Sequence, residues 1–204
     1  MSDLAARTRR SIPLAAGISL ALALGACTVT PGASEAMQMD QGERYARALE
    51  LIEDAQRHAD RGRVGEAIEA YKRSIEMTSS IAAAWNNMGE LLMTQNQYSD
   101  AVTAFERAGD LSPTDPRPPY NAGVVYQNQG WARDALERFE LSLDRDPNYL
   151  PALRGAVRAA EYLQLANTAT LDRIKRATLS EGDEAWREYF QRQRFRVEAG
   201  LDAD

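Results

Sequence analysis

Apolar and small residues in the middle of the chain recur with the period of a helix, and whole blocks of them recur every 34 residues. Ala67, Ala101 and Ala135 fall in register, as do Tyr71, Phe105 and Phe139. Each alanine precedes its aromatic residue by four positions, so the two share one helical face. The small side chain lets a neighbouring helix approach, and the ring fills the space beside it. Ile68 and Ile75, Val102 and Ala108, and Leu136 and Leu143 extend the same stripes. Gly62, Asn96 and Gly130 stand ahead of these segments at the same spacing, and each tolerates the left-handed backbone that ends a helix. Earlier helices are predicted before them, carrying Trp85, Met88, Gly89 and Leu92, then Tyr120, Gly123 and Tyr126. Gly89 and Gly123, lacking side chains, allow the two helices of a pair to lie close. Pro113 and Pro147 end second helices, because proline cannot donate an intrahelical hydrogen bond.

Residues 82–115, AAAWNNMGELLMTQNQYSDAVTAFERAGDLSPTD, are the most regular block. They resemble a tetratricopeptide repeat, W-x2-L-G-x2-Y followed by A-x3-F and a closing proline, through Trp85, Gly89, Ala101, Phe105 and Pro113. Met88 and Leu92 replace the leucine and tyrosine with similar bulk. Block 116–149 keeps Gly123, Tyr126, Ala135, Phe139 and Pro147, with Pro116, Pro118 and Pro119 starting its first helix. Block 48–81 is weaker, with Ala55, His58 and Ser79 at the glycine, tyrosine and proline positions. A degenerate fourth block covers 150–182; its second helix, about Thr168 to Leu179, lacks the aromatic residue.

The resemblance implies an all-α fold, a right-handed superhelical stack of antiparallel helix pairs over residues 45–182. Residues 183–204 are expected to form a capping helix and tail, with Trp186, Phe190, Val197 and Leu201 on its apolar side. Arg187, Arg192, Arg194 and Arg196 lie on the other side beside Glu184, Glu188 and Glu198, which reads as a solvated face; contact with an acidic partner or anionic lipid is the alternative.

The N-terminal pattern is different. Arg7, Arg9 and Arg10 precede an apolar run from Ile12 to Ala26 that is too short to span a bilayer comfortably, so residues 1–26 read as a secretory signal. Leu24-Gly25-Ala26-Cys27 resembles the bacterial lipoprotein cleavage box, which implies cleavage before Cys27 and acylation of that residue. Two or three acyl chains hold a protein stably at a membrane where one does not. Thr28 follows the cysteine in place of the aspartate that serves as an inner-membrane retention signal in that family, which implies the periplasmic face of the outer membrane. Residues 27–44 then read as the acylated cysteine and a flexible tether rich in Gly, Ser, Thr and Gln.

Composition narrows the chemistry. Of 204 residues 44% are hydrophobic, a globular proportion, and only 7% are aromatic, which favours helices packed through small side chains. Removing the +2 of residues 1–26 from the overall formal charge of −6 leaves −8, so nucleic acid has no general attraction for the remainder. Cys27 is the only cysteine, which excludes an intramolecular disulfide. His58, the only histidine, occupies a packing position of its repeat and has no partner visible in sequence to orient it. No nucleotide-binding loop and no metal-ligand spacing occurs; neither an enzyme nor a cofactor is expected.

In tetratricopeptide proteins the first helices of successive pairs line a concave groove. Carried onto this chain, the groove positions include Gln56 in the first block and Asn86, Asn87, Glu90, Met93 and Thr94 in the second. The third contributes Arg117, Tyr120, Asn121, Val124, Gln127 and Asn128, and the fourth Arg154, Arg158, Glu161 and Tyr162. Amide side chains offer donors and acceptors to an extended peptide backbone. Arg154 and Arg158, one turn apart, either receive a carboxylate or solvate the groove rim. They do not reproduce the lysine-and-arginine clamp of the chaperone-binding members. The resemblance therefore implies a lipid-anchored scaffold for another envelope protein or an extended peptide, in the manner of the lipoproteins that assemble pili and outer-membrane machines. The alternative is a regulator that docks on a cell-wall synthase or hydrolase.

Overall fold

The computed structural model describes residues 39–202, and helices account for most of them. The signal segment, Cys27 and the tether up to residue 38 lie outside the described residues. Nine helices follow one another among the described residues: α1 (Gln41–Asp60), α2 (Val64–Met77), α3 (Ala82–Thr94), α4 (Tyr98–Leu111), α5 (Arg117–Asn128), α6 (Ala132–Arg145), α7 (Leu150–Tyr162), α8 (Thr168–Ser180) and α9 (Glu184–Leu201). Each odd helix from α1 to α7 pairs with the even helix after it, and the pairs stack in chain order with α9 against α8.

The first helix starts at Gln41, earlier than the boundary at 45 expected from sequence. The reason is local. Asp40 accepts a hydrogen bond from Glu43 N at 2.8 Å while Glu43 Oε2 accepts one from Asp40 N at 3.0 Å, a reciprocal cap that satisfies two otherwise orphaned donors.

Four turns of one design join the two helices within each pair. Gly62, Asn96, Gly130 and Gln164 have φ of 72°, 59°, 75° and 57°. The residue after each donates to the carbonyl five positions back: Arg63 to His58, Gln97 to Leu92, Trp131 to Tyr126 and Leu165 to Ala160, at 2.8–3.0 Å. This is the Schellman closure, which consumes a carbonyl left free at the helix end. The spacing of 34 thus extends to Gln164, a residue type that does not advertise a left-handed turn.

Inside the second and third pairs an aromatic ring occupies the space left by a glycine. A Cβ built on Gly89 would lie 2.7 Å from Phe105 Cε1, and one on Gly123 would lie 2.6 Å from Phe139 Cε1. Both rings are buried, as is Tyr71. Phe139 is also met from the other side, where a Cβ on Gly155 of α7 would lie 2.6 Å from its ring. Buried hydroxyls tie second helices back to first ones: Ser74 Oγ donates to Ala48 O at 2.9 Å, within α1, and Ser142 Oγ to Pro116 O at 2.8 Å, at the start of α5.

The fourth pair departs from the pattern. Thr170, Arg173, Ile174 and Ala177 are the buried positions of α8, and Arg173 stands where the aromatic ring would fall, its guanidinium paired with Glu140 of α6. Asn167 caps this helix through Thr170 N at 2.8 Å. The stack ends on α9, whose Phe190 and Val197 are fully buried in a core shared with Leu153, Val157 and Ile174.

Candidate functional site

The first helices α3, α5 and α7 present one continuous face, and the structure divides it into two halves of different character. In the first half the predicted amides engage one another. Asn121 Nδ2 on α5 donates to Asn86 Oδ1 at 3.0 Å and to Glu90 Oε1 at 3.1 Å, both on α3. Asn86 Nδ2 donates to the same Glu90 oxygen at 2.8 Å. Asn87 Nδ2 reaches the Tyr71 hydroxyl at 3.3 Å. Asn86 is buried, which corrects the expectation that it faces a ligand directly: its amide serves to hold Glu90 and Asn121 in place. Glu90 remains exposed and Asn121 half-buried, so the network offers a pre-ordered polar surface.

Arg117, expected to reach the groove, turns to Asp115 at the start of α5. Its Nε and Nη2 bond the carboxylate at 3.0 Å and 2.7 Å. The hydrogen bonds from Arg117 are the main reason the Asp115 carboxyl sits below its ordinary range. Asn128 is exposed at the end of α5.

The second half is built where α5, α7 and α9 converge. Tyr120, Val124, Gln127, Arg154, Arg158 and Trp186 line a cavity of about 260 Å³ with Phe139 at its floor. Burial raises the Tyr120 hydroxyl above its ordinary range, and the Tyr120 ring meets Tyr149 edge-on with centroids 5.6 Å apart.

Arg154 is not open to a ligand carboxylate, contrary to one sequence expectation. Its Nε and Nη2 bond both oxygens of Glu181 at 2.8 Å and 2.6 Å, and the Glu181 side chain is only 1% exposed. These bonds hold the Glu181 carboxyl below the usual carboxylate range. Trp186 lies over the same guanidinium, 4.7 Å from ring centre to Cζ. Glu181 and the groove role of Trp186 escape sequence reading, because the capping helix has no fixed register with the repeats; the only signal was the lone tryptophan at the start of that helix.

Arg158 is exposed, and no ion pair forms at it among the described residues. Glu161, three residues on, accepts from Tyr189 Oη at 2.8 Å and from Gln193 Nε2, which docks α9 along α7. Burial and this hydrogen bond push the Tyr189 hydroxyl strongly upward.

His58 has two acidic neighbours. Its Nδ1 lies 2.7 Å from Glu66 and its Nε2 3.7 Å from Asp54, at the junction of α1 and α2 and away from the cavity. No group of three or more metal-binding side chains comes together among the described residues. On α9, Arg194 pairs with Glu198 at 2.7 Å and Arg192 with Glu188 at 3.9 Å, as a solvated face does. Among the described residues, no helix is long and apolar enough to cross a membrane.

Residues 53–116 match the tetratricopeptide repeat family. They are tetratricopeptide repeats. Among solved structures, a crystal structure of the MamA protein superposes with a TM-score of 0.59 at 23% identity, over 68% of this chain and 75% of that one. The first tetratricopeptide domain of Spaghetti (RPAP3), bound to the HSP90 peptide SRMEEVD, superposes with a TM-score of 0.56 at 17% identity, over 59% of this chain and 96% of that one. At these identities the likeness is one of fold. Superkiller complex protein 3 of Mus musculus is 22% identical over 115 residues, 56% of this chain. The peroxisomal targeting signal receptor of Eremothecium gossypii is 25% identical over 115 residues, also 56% of this chain. The aligned stretch is 7% of the length of the first and 19% of the second, so the kinship is between repeats and not between whole proteins. Tetratricopeptide folds are typically protein-interaction modules without a reaction of their own.

Proposed function

We propose that this protein is a lipid-anchored envelope scaffold that holds an extended segment of a partner protein along the face of α3, α5 and α7, closed at one end by α9. The observation that carries the reading is the face itself: a cross-linked amide and carboxylate network on α3 and α5 adjoins a cavity of about 260 Å³ that contains cationic and aromatic side chains. Pre-ordered polar groups beside a concave apolar surface bind a chain at low entropic cost. The anchor is supported by Leu24-Gly25-Ala26-Cys27 after an apolar run with an arginine-rich start. Assembly of a pilus or another outer-membrane machine is the setting proposed for such a scaffold.

Two measurements on the full chain test this. Cys27→Ser should move the protein from the membrane to the soluble fraction, and a serine variant that stays with the membrane would refute the anchor. A photo-crosslinking residue at Asn87 or Asn121 should capture a defined envelope protein in cells, whereas one at Glu137 on the exposed face of α6 should not. Equal capture from both faces would remove the groove from the proposal.

A further inference from the structure

Arg158 differs from the cationic side chains around it. Arg154 is bound to Glu181, Arg117 to Asp115, and Arg196 to Gln193 Oε1 at 2.8 Å. Glu161, the acidic group nearest in sequence on α7, has both carboxylate oxygens engaged by Tyr189 and Gln193 of α9. Arg158 therefore presents a guanidinium with no carboxylate opposite it among the described residues.

Three hollows meet at this one side chain. The cavity of about 260 Å³ described above lies toward Val124 and Trp186. A second, of about 210 Å³, runs from Arg158 toward Gln127, Gly130 and Tyr162 at the turn end of α7. A third, of about 260 Å³, opens between Arg158, Trp186 and Tyr189. The space thus continues past the guanidinium in more than one direction, and aromatic surface flanks it on either side.

Within the groove-binding reading proposed above, on which this step rests, we infer that Arg158 receives the carboxylate of an acidic side chain in the interior of an extended partner segment. Apolar residues on either side of that acid seat against Trp186 and Tyr162. The planar guanidinium matches a carboxylate with two parallel charge-assisted hydrogen bonds, and the flanking aromatic surface keeps water from competing. An interior residue is favoured over a chain terminus because the hollows continue on both sides of Arg158, so a bound chain enters and leaves. A polyanion such as nucleic acid is disfavoured by the overall charge of −6 and by exposed Glu90 on the same face, while a single carboxylate is not.

The test uses the full chain in detergent and end-blocked eight-residue peptides with one Glu between two Leu in an Ala and Ser background. Matched peptides carry Gln or Lys in place of Glu, and a further one lacks Glu but has a free carboxyl end. Binding is read by fluorescence anisotropy, with the Trp186 indole resonance as a local reporter. The Glu peptide should bind about tenfold or more tighter than the Gln peptide. Arg158→Ala should abolish the difference, and Arg158→Glu should invert it in favour of Lys, with circular dichroism unchanged in both. Equal binding of Glu and Gln peptides, or a preference that survives Arg158→Ala, overturns the inference; tighter binding of the free-carboxyl peptide overturns its interior placement. If no peptide binds while Asn87 and Asn121 still crosslink to a partner, this inference fails alone. Loss of those crosslinks as well would fail the groove reading with it.

Discussion

Arg154 of α7 and Glu181 of the turn before α9 form a two-bonded pair across 27 residues of chain, with the carboxylate buried and the Trp186 ring laid over the guanidinium. Glu181 also accepts from Asp183 N at 2.9 Å, the residue that caps α9 through Trp186 N. One carboxylate thereby sets the direction in which the last helix leaves the stack. That direction decides whether Trp186 and Tyr189 wall the cavity around Arg158.

Glu181→Gln keeps the shape and removes the charge. It should loosen α9 by about 1–3 kcal/mol, the usual consequence of leaving a partly buried charged group without its counter-ion. Hydrogen exchange should accelerate at the α9 amides and not in α3 or α4. Uniform acceleration through the stack would contradict a local role.

Acid should act at the same place. The Glu181 carboxyl is lowered in the folded state from an ordinary value of 4.5, chiefly by its hydrogen bonds from Arg154. A lowered carboxylate stabilises fully above the unfolded value and loses that contribution as pH falls through the folded one. Protection of α9 should therefore hold at pH 5 to 7 and decline below about pH 4, and the decline should be blunted in Glu181→Gln. Protection that is independent of pH across this range would separate Glu181 from the docking of α9.

Gly123→Ala places a methyl group 2.6 Å from the Phe139 ring, which is fully buried and already met by Gly155 from the opposite side. Neither neighbour can retreat without opening a contact. Stability should fall by about 1–3 kcal/mol, the usual cost of overpacking, as read by urea denaturation. Phe139→Leu should lose less in the Gly123→Ala background than in the natural one, because part of the clash is already relieved. Strict additivity would show that the two residues do not press on each other.

Gln164 has φ of 57° with no glycine to ease it. Gln164→Gly should raise stability by about 1 kcal/mol, the cost of the left-handed backbone for a residue with a Cβ. Gly130→Ala, at φ of 75° in the equivalent turn, should lower it by a similar amount. Thermal unfolding of the two variants checks both signs, and a shift in the same direction for both would refute the strain argument.

The helix pairs were legible because their packing is made of local and periodic choices. Gly89 under Phe105 and Gly123 under Phe139 are pairs within one hairpin, and such pairs keep their spacing wherever the hairpin recurs. The turns at Gly62, Asn96 and Gly130 were legible for the same reason, since those residue types favour the backbone that they adopt. Gln164 was hidden because its conformation is imposed by the Schellman closure around it. Arg173 was visible only as a missing ring. Its pairing with Glu140 spans two repeats and has no sequence period to reveal it.

Sequence alone therefore determined the architecture: a 34-residue unit of two helices whose small and aromatic positions interlock, with groove-facing residues on the first helix of each pair. Only the tertiary structure decided which of those residues are free. Asn86 and Arg154 read as ligand contacts along the chain, yet folding supplies each with an internal partner, Glu90 or Glu181, while Arg158 receives none among the described residues. The physical reason is that a repeat pattern records how a helix packs on its neighbour, whereas the pairing of a charge depends on residues brought together from distant parts of the chain.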